Sequence, residues 1–120
     1  MAESHRLGIR GEDAAARHLE AAGWRVLARN YRFGHREIDL IVRRGRTVAF
    51  VEVKTRARLV WGHPLLSIDA RKRGEIERVA RVWLDRHGRA GDEFRFDAIA
   101  VYRDDAGMLH VEHVEDAWRR

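Results

Sequence analysis

Two runs of alternating residues around a tight turn, EIDLIVRRGRTVAFVEVKTR (37–56), commit this chain to a β-sheet. In the first run, Ile38, Leu40 and Val42 are expected on one face, and Glu37, Asp39 and Ile41 on the other. Arg44-Gly45 reads as a short hairpin into TVAFVEVK (47–54). There Val51 and Val53 face one way, while Glu52 and Lys54 lie side by side on the opposite face. A carboxylate and an ammonium two residues apart are either a solvated ion pair, worth about 0–1 kcal/mol, or part of a chemical face.

The rest of the chain is organised around this hairpin. Residues 5–22 are predicted to be a helix, rich in Ala and closed by Gly23, with Ile9, Ala16 and Leu19 as its inward stripe. Glu12 falls on that stripe, and a carboxylate on an apolar face needs a partner. WRVLARNYR (24–32) is a strand in which Val26 and Ala28 share a face, with Asn30 next along it. The segment ARLVWGHP (57–64) is a loop. Ser67 is expected to cap a helix that runs to about His87, with Ile76, Val79, Ala80 and Trp83 inward and Lys72 on the same line. FRFDAIAVYR (94–103) and MLHVEHV (108–114) are the last strands, so the order is α-β-β-β-α-β-β in a single α/β domain of 120 residues.

Composition narrows the partners. The formal net charge is +5 and the pI about 10.6, which favours an anionic partner, nucleic acid first among them. Arg56, Arg58, Arg71, Lys72 and Arg73 are the candidates for contacts along a phosphate backbone. Lys and Arg number 24, and all but Lys54 and Lys72 are arginine, so a compact ammonium beside Glu52 is a departure from the chain's own habit. The absence of cysteine excludes disulfides and thiolate metal sites and permits a reducing cytoplasm, where the protein is expected. No apolar run resembles a signal peptide or a membrane span, so no membrane partner is expected.

Asp39 and Glu52 lie on strands joined by the hairpin, and Glu12 projects from the preceding helix. Carboxylates gathered near one point repel each other, and a divalent cation is the usual reason to gather them. Mg²⁺ (Mn²⁺ can substitute) accepts one or two carboxylates and a backbone carbonyl, and retains waters. Asp39, Glu52 and the Val53 carbonyl are therefore the candidate metal ligands, with Glu37 as a secondary candidate. Glu12 would complete the shell directly or through water, and Lys54 would serve an attacking water or steady phosphoryl charge.

These residues carry a resemblance. The runs GEDAAARHLEAAGWRVLARNYR, EIDLIVRRGRTVAFVEVKTR, WGHPLLSIDARKRGEIERVARVWL and FRFDAIAV resemble the small bacterial YraN (UPF0102) family over roughly residues 8–101. That family is uncharacterised and is itself similar to archaeal Holliday-junction resolvases and the PD-(D/E)xK nuclease superfamily. The resemblance implies a restriction-endonuclease-like core, a mixed five-stranded sheet flanked by helices. It also implies a metal-binding acidic pair at Asp39 and Glu52, the superfamily lysine at Lys54 and the helical acidic residue at Glu12. Arg36 stands where the family usually has Gly before the Glu of EIDLI.

The expectation is a Mg²⁺-dependent endonuclease-like protein acting on phosphodiester bonds of structured DNA, with branched DNA one of the forms it could take. The alternatives are a nucleic-acid-binding module without catalysis and a basic interaction protein that keeps the fold. Monomer and homodimer are both compatible with the sequence; Trp61, in the loop, suits either stacking on a base or packing on a second subunit.

Overall fold

The β2–β3 hairpin closes on Gly45, whose φ of 62° lies in the left-handed region that a side chain disfavours. It joins β2 (Arg36–Arg44) to β3 (Thr47–Arg56). The computed structural model describes residues 3–56 and 68–119. Helix α1 (Glu3–Ala21) and strand β1 (Arg25–Phe33) precede the hairpin. Helix α2 (Ala70–His87), β4 (Glu93–Arg103) and β5 (Leu109–Trp118) follow it. The five strands form one sheet in the order β1-β2-β3-β4-β5. Among the described residues only β3 and β4 pair in parallel, and α2 lies in the crossover between them. The expected α-β-β-β-α-β-β order and helix-flanked mixed sheet are what the structure contains.

Each face of the sheet buries one helix. On one side Ala15, Ala16 and Leu19 of α1 pack on Leu40, Val42, Ala49, Val51, Ile99 and Val101. On the other, Ile76, Val79, Ala80 and Trp83 of α2 cover Ile41, Val48, Phe50, Phe96 and Trp118. Fully burying a side chain such as Phe50 contributes roughly 1.5–3 kcal/mol, so both faces drive folding. At the far end of the sheet from the site described below, Arg43 donates two hydrogen bonds to Asp92, at 2.7 and 2.8 Å, and ties β2 to the turn before β4. Among the described residues no helix is long and apolar enough to cross a membrane.

Five expectations are corrected. Ile9 is 50% exposed, because the buried line of α1 runs through Leu7, Gly11, Ala15 and Leu19 at four-residue steps. Ile9, two residues from Leu7 and from Gly11, falls on the opposite side. Val26 and Ala28 do not share a face: a bulge between them sends Val26 to the α1 side and Ala28 to the α2 side. Ser67 lies outside the described residues, and the N-cap of α2 is Asp69, whose Oδ1 accepts the Lys72 N–H at 2.9 Å. Strand β5 continues past Val114 to Trp118, since a second irregularity, between Phe96 and Ala98, lets Asp97 accept the Asp116 N–H and keep the chain on the sheet.

Ile38 supplies the last correction, and it shapes the site. It packs with Ile41 and Phe50 on the α2 side, while Leu40 and Val42 face α1. The strand changes phase at Asp39. Its neighbour β1 changes phase at the same level: Arg29 reaches Asp13 on α1, but Tyr31 packs on the α2 side. Between them Asn30 adopts φ 50°, a conformation asparagine tolerates better than most residues.

Candidate functional site

The site forms where β2 leaves β3. Their pairing ends at Leu40–Val51, whereas β3 goes on pairing with β4 as far as Arg56. Past Leu40 a gap therefore opens on the β2 side of β3. Asp39 fills it: the Val53 N–H donates to Asp39 Oδ2 at 2.7 Å, replacing the backbone bond the ladder has lost. The N–H and C=O of one strand residue point to the same edge, so the Val53 carbonyl faces the same gap.

Glu52 lies on the α2 face with Phe50, and only 3% of it is exposed. Both lysines of the chain converge on one of its oxygens. Lys54 Nζ stands 3.9 Å from Glu52 Oε2, and Lys72 Nζ stands 3.6 Å from the same atom. Lys54 arrives by strand alternation. Lys72 arrives by topology, because the crossover that leaves the C-terminal end of β3 begins α2 at that end. These separations exceed hydrogen-bonding distance, so the attraction is between charges.

Asp39 carries the strongest perturbation. Burial, then a hydrogen bond shared with Glu52 and the charge of that carboxylate, push its carboxyl up to about 8; the Val53 N–H and Lys72 oppose the rise. Glu12, half-buried, enters from the α1 side. Burial and then the Asp39 charge raise its carboxyl above the ordinary range, against a hydrogen bond from Asn30 and the charge of Arg29.

The expected set is thus brought together unevenly. Asp39, Glu52, Val53 and Lys54 meet at the gap, Glu12 reaches Asp39 from the other face, and Lys72 reaches Glu52. Glu37 is engaged by Arg32, whose Nε donates at 3.0 Å, and its charge is a minor influence on Glu12. Arg56 and Arg71 are exposed, Arg71 beside Glu75 at 3.8 Å. Arg73 lies over the Trp118 ring, 5.7 Å from its centroid. Arg58 and Trp61 lie outside the described residues. Two contributors were not expected, Asn30 and Gly11. An asparagine in mid-strand, where it is a poor β-former, is the signal that marks the first.

Gly11 marks where α1 touches β3. A Cβ there would land on the side chain of Thr55, the residue after Lys54, against Oγ1 and Cγ2. Gly11→Ala would gain about 1 kcal/mol of helix propensity, yet overpacking costs about 1–3 kcal/mol, so the clash should win. We expect a lower melting temperature for Gly11→Ala and partial recovery in Gly11→Ala/Thr55→Ala. A melting temperature at or above the parent's would show that α1 can shift freely.

The donors fit a hard cation. Two carboxylates and a backbone carbonyl are the oxygen ligands Mg²⁺ accepts while it keeps waters. Among the described residues no three His, Asp or Glu side chains are gathered closely enough to hold a metal alone. Water and the Val53 carbonyl would have to complete the shell.

Comparison with known proteins agrees with the sequence resemblance. The family model described as "Uncharacterised protein family UPF0102" matches residues 11–101. A UPF0102 protein of Parafrankia sp. (strain EAN1pec) is 44% identical over 118 residues, covering 98% of this chain and 100% of its own length. One of Chlorobium phaeobacteroides is 38% identical over 122 residues, covering 98% of this chain and 96% of its own. Among solved structures, SfsA of Pyrococcus furiosus, in complex with Ca²⁺, aligns with a TM-score of 0.41 and 16% identity over 93% of this chain and 63% of that one, too distant a likeness to carry an argument.

Proposed function

The chain belongs to the uncharacterised UPF0102 family, and we propose that it is a Mg²⁺-dependent endonuclease-like hydrolase of phosphodiester bonds in structured DNA, with the gap between β2 and β3 as its centre. One observation carries this reading: Asp39, Glu52, the Val53 backbone and Lys54 meet where strand pairing stops, at a place that a merely structural ion pair does not require. Two buried carboxyl groups held against each other, one kept protonated by burial and then by its neighbour, are a cost to the fold rather than a source of its stability. Perturbed groups of this kind mark functional sites.

Asp39, Glu52 and the Val53 carbonyl would hold the cation. When bound, Mg²⁺ would supply positive charge to a phosphoryl oxygen that becomes more negative as the bond breaks. Asp39 would give up its proton on loading and keep its hydrogen bond from Val53 N–H, so that the ligand stays aimed. Lys54 would donate a hydrogen bond to the attacking water or to the phosphoryl oxygen, its ammonium placed by the same strand that carries Glu52. Glu12, hydrogen-bonded to Asn30, would orient water on the α1 side of Asp39. The exposed Arg56 and Arg71 would run along the DNA backbone.

Labelled four-way, flapped, nicked and linear DNA incubated with Mn²⁺ or Mg²⁺ tests the reading. Cleavage that requires the divalent ion and favours branched DNA is expected. No divalent-dependent cleavage on any substrate, with DNA binding intact, would leave a binding module instead. DNA affinity is expected to fall steeply with salt, by about 10³-fold or more between roughly 50 and 200 mM if six or more phosphates are neutralised. A flat salt response would point to an acidic protein partner.

A further inference from the structure

We propose that Lys72 couples nucleic-acid binding to divalent-ion binding: its ammonium balances Glu52 until a backbone phosphate draws it away and leaves that carboxylate to the cation. This deepens the nuclease reading and rests on it. The chain places lysine at only two of its 24 basic positions, and both ammoniums face Glu52 Oε2. One positive charge is enough to balance one carboxylate, so the second needs another reason.

Charge counting supplies it. Two ionised carboxylates, two ammoniums and a divalent cation leave the site with an excess of positive charge, which opposes cation entry. A DNA phosphate is the anion that removes the excess, provided one of the ammoniums can follow it outwards. Lys72 is the one able to move. Its side chain is 36% exposed against 23% for Lys54, and it stands in the first turn of α2 on a long flexible stem.

The contact is also built for release. At 3.6 Å the Lys72–Glu52 pair is beyond hydrogen-bond reach. The same protein locks Arg43 to Asp92 with two bonds of 2.7 and 2.8 Å where it ties β2 to the turn before β4. An arginine at position 72 could fork onto Glu52 in that manner and would compete with the cation; a lysine holds the carboxylate only by charge. Because binding free energies are reciprocal, DNA that draws Lys72 off should tighten cation binding, and the cation should tighten DNA binding by the same factor.

The test is calorimetric titration of Mn²⁺ into the parent and Lys72→Met, each alone and with a short phosphorothioate DNA duplex that resists cleavage. In the parent, the duplex is expected to tighten Mn²⁺ binding. Lys72→Met alone is expected to bind Mn²⁺ about fivefold or more tightly than the parent, and the tightening on adding the duplex should shrink by a similar factor. Removal of a bystander charge would change the first quantity and leave the second untouched, so an undiminished duplex effect in Lys72→Met overturns the proposal. A parent that binds no Mn²⁺ under either condition brings down the nuclease reading itself, a different result from a parent that binds and a variant that responds alike. If Lys72→Met fails to fold, Lys72→Gln, which remains polar at this part-exposed position, carries the same comparison.

Discussion

In metal-free buffer at about pH 8, Asp39→Asn should be more stable than the parent, by about 2 kcal/mol or more, and should melt roughly 5–10 °C higher. The folded protein holds a proton on Asp39 up to about 8, whereas the unfolded chain releases it near 3.8. The native state thus binds more protons between those values, and the parent loses stability as pH rises from about 4 to about 8. Asparagine escapes that loss. Its carbonyl oxygen can accept the Val53 N–H, and its amide can donate to Glu52 where the shared proton lay. The advantage of the variant should therefore shrink towards about pH 5 and be largest at about pH 8. Calorimetric melts of both proteins with chelator at the two pH values measure it, and Mn²⁺ titration of the same samples should show binding in the parent alone. A variant less stable than the parent at about pH 8 would mean that Asp39 is a structural anion, and the metal assignment would go with it.

Lys54 should separate chemistry from binding. Single-turnover cleavage of branched DNA is expected to fall about 100-fold or more in Lys54→Ala, with DNA affinity within about threefold of the parent. A group that acts in the transition state lowers the rate, whereas one ion pair among many contributes little to affinity. Lys54→Arg should recover little of the rate. The ammonium at 3.9 Å is a loose point charge, and a guanidinium there would fork onto Glu52 and hold the carboxylate that the proposed cation would require. Full activity in the Arg variant would reduce the pair to a structural one.

What could be read from sequence follows from how local each signal is. Period-two alternation located β2, β3 and β4, and Ile76, Val79, Ala80 and Trp83 located the buried side of α2, because these patterns lie within single elements. Alternation fails where a strand changes phase. Nothing in EIDLIV announces that Ile38 and Leu40 part company, since the cause is a left-handed Asn30 on the neighbouring strand and the end of pairing with β3. The same holds for Val26 and Ala28, separated by a bulge. Ile9 misled because it is a large apolar residue near the start of α1, while the residue that meets β3 there is Gly11, small enough to admit Thr55. Lys72 was visible as a cation on the inward line of its helix, but its neighbour Glu52 lies across the crossover, a relation no local pattern encodes.

The parting of β2 from β3 leaves a spectroscopic observer inside the molecule. Along the edge of β3 that faces β2, pairing ends at Leu40–Val51, and the next N–H on that edge, that of Val53, looks into the Asp39 carboxyl group. Its resonance should move downfield as Asp39 loses its proton, since an amide bound to a carboxylate lies downfield of one bound to a neutral carboxyl group, and should shift again when a cation arrives. Its exchange with deuterium should be governed by occupancy of the gap, independently of the rest of the sheet. One backbone label at Val53 would let proton release, ion loading and DNA engagement be followed in the same sample, without a substrate being known.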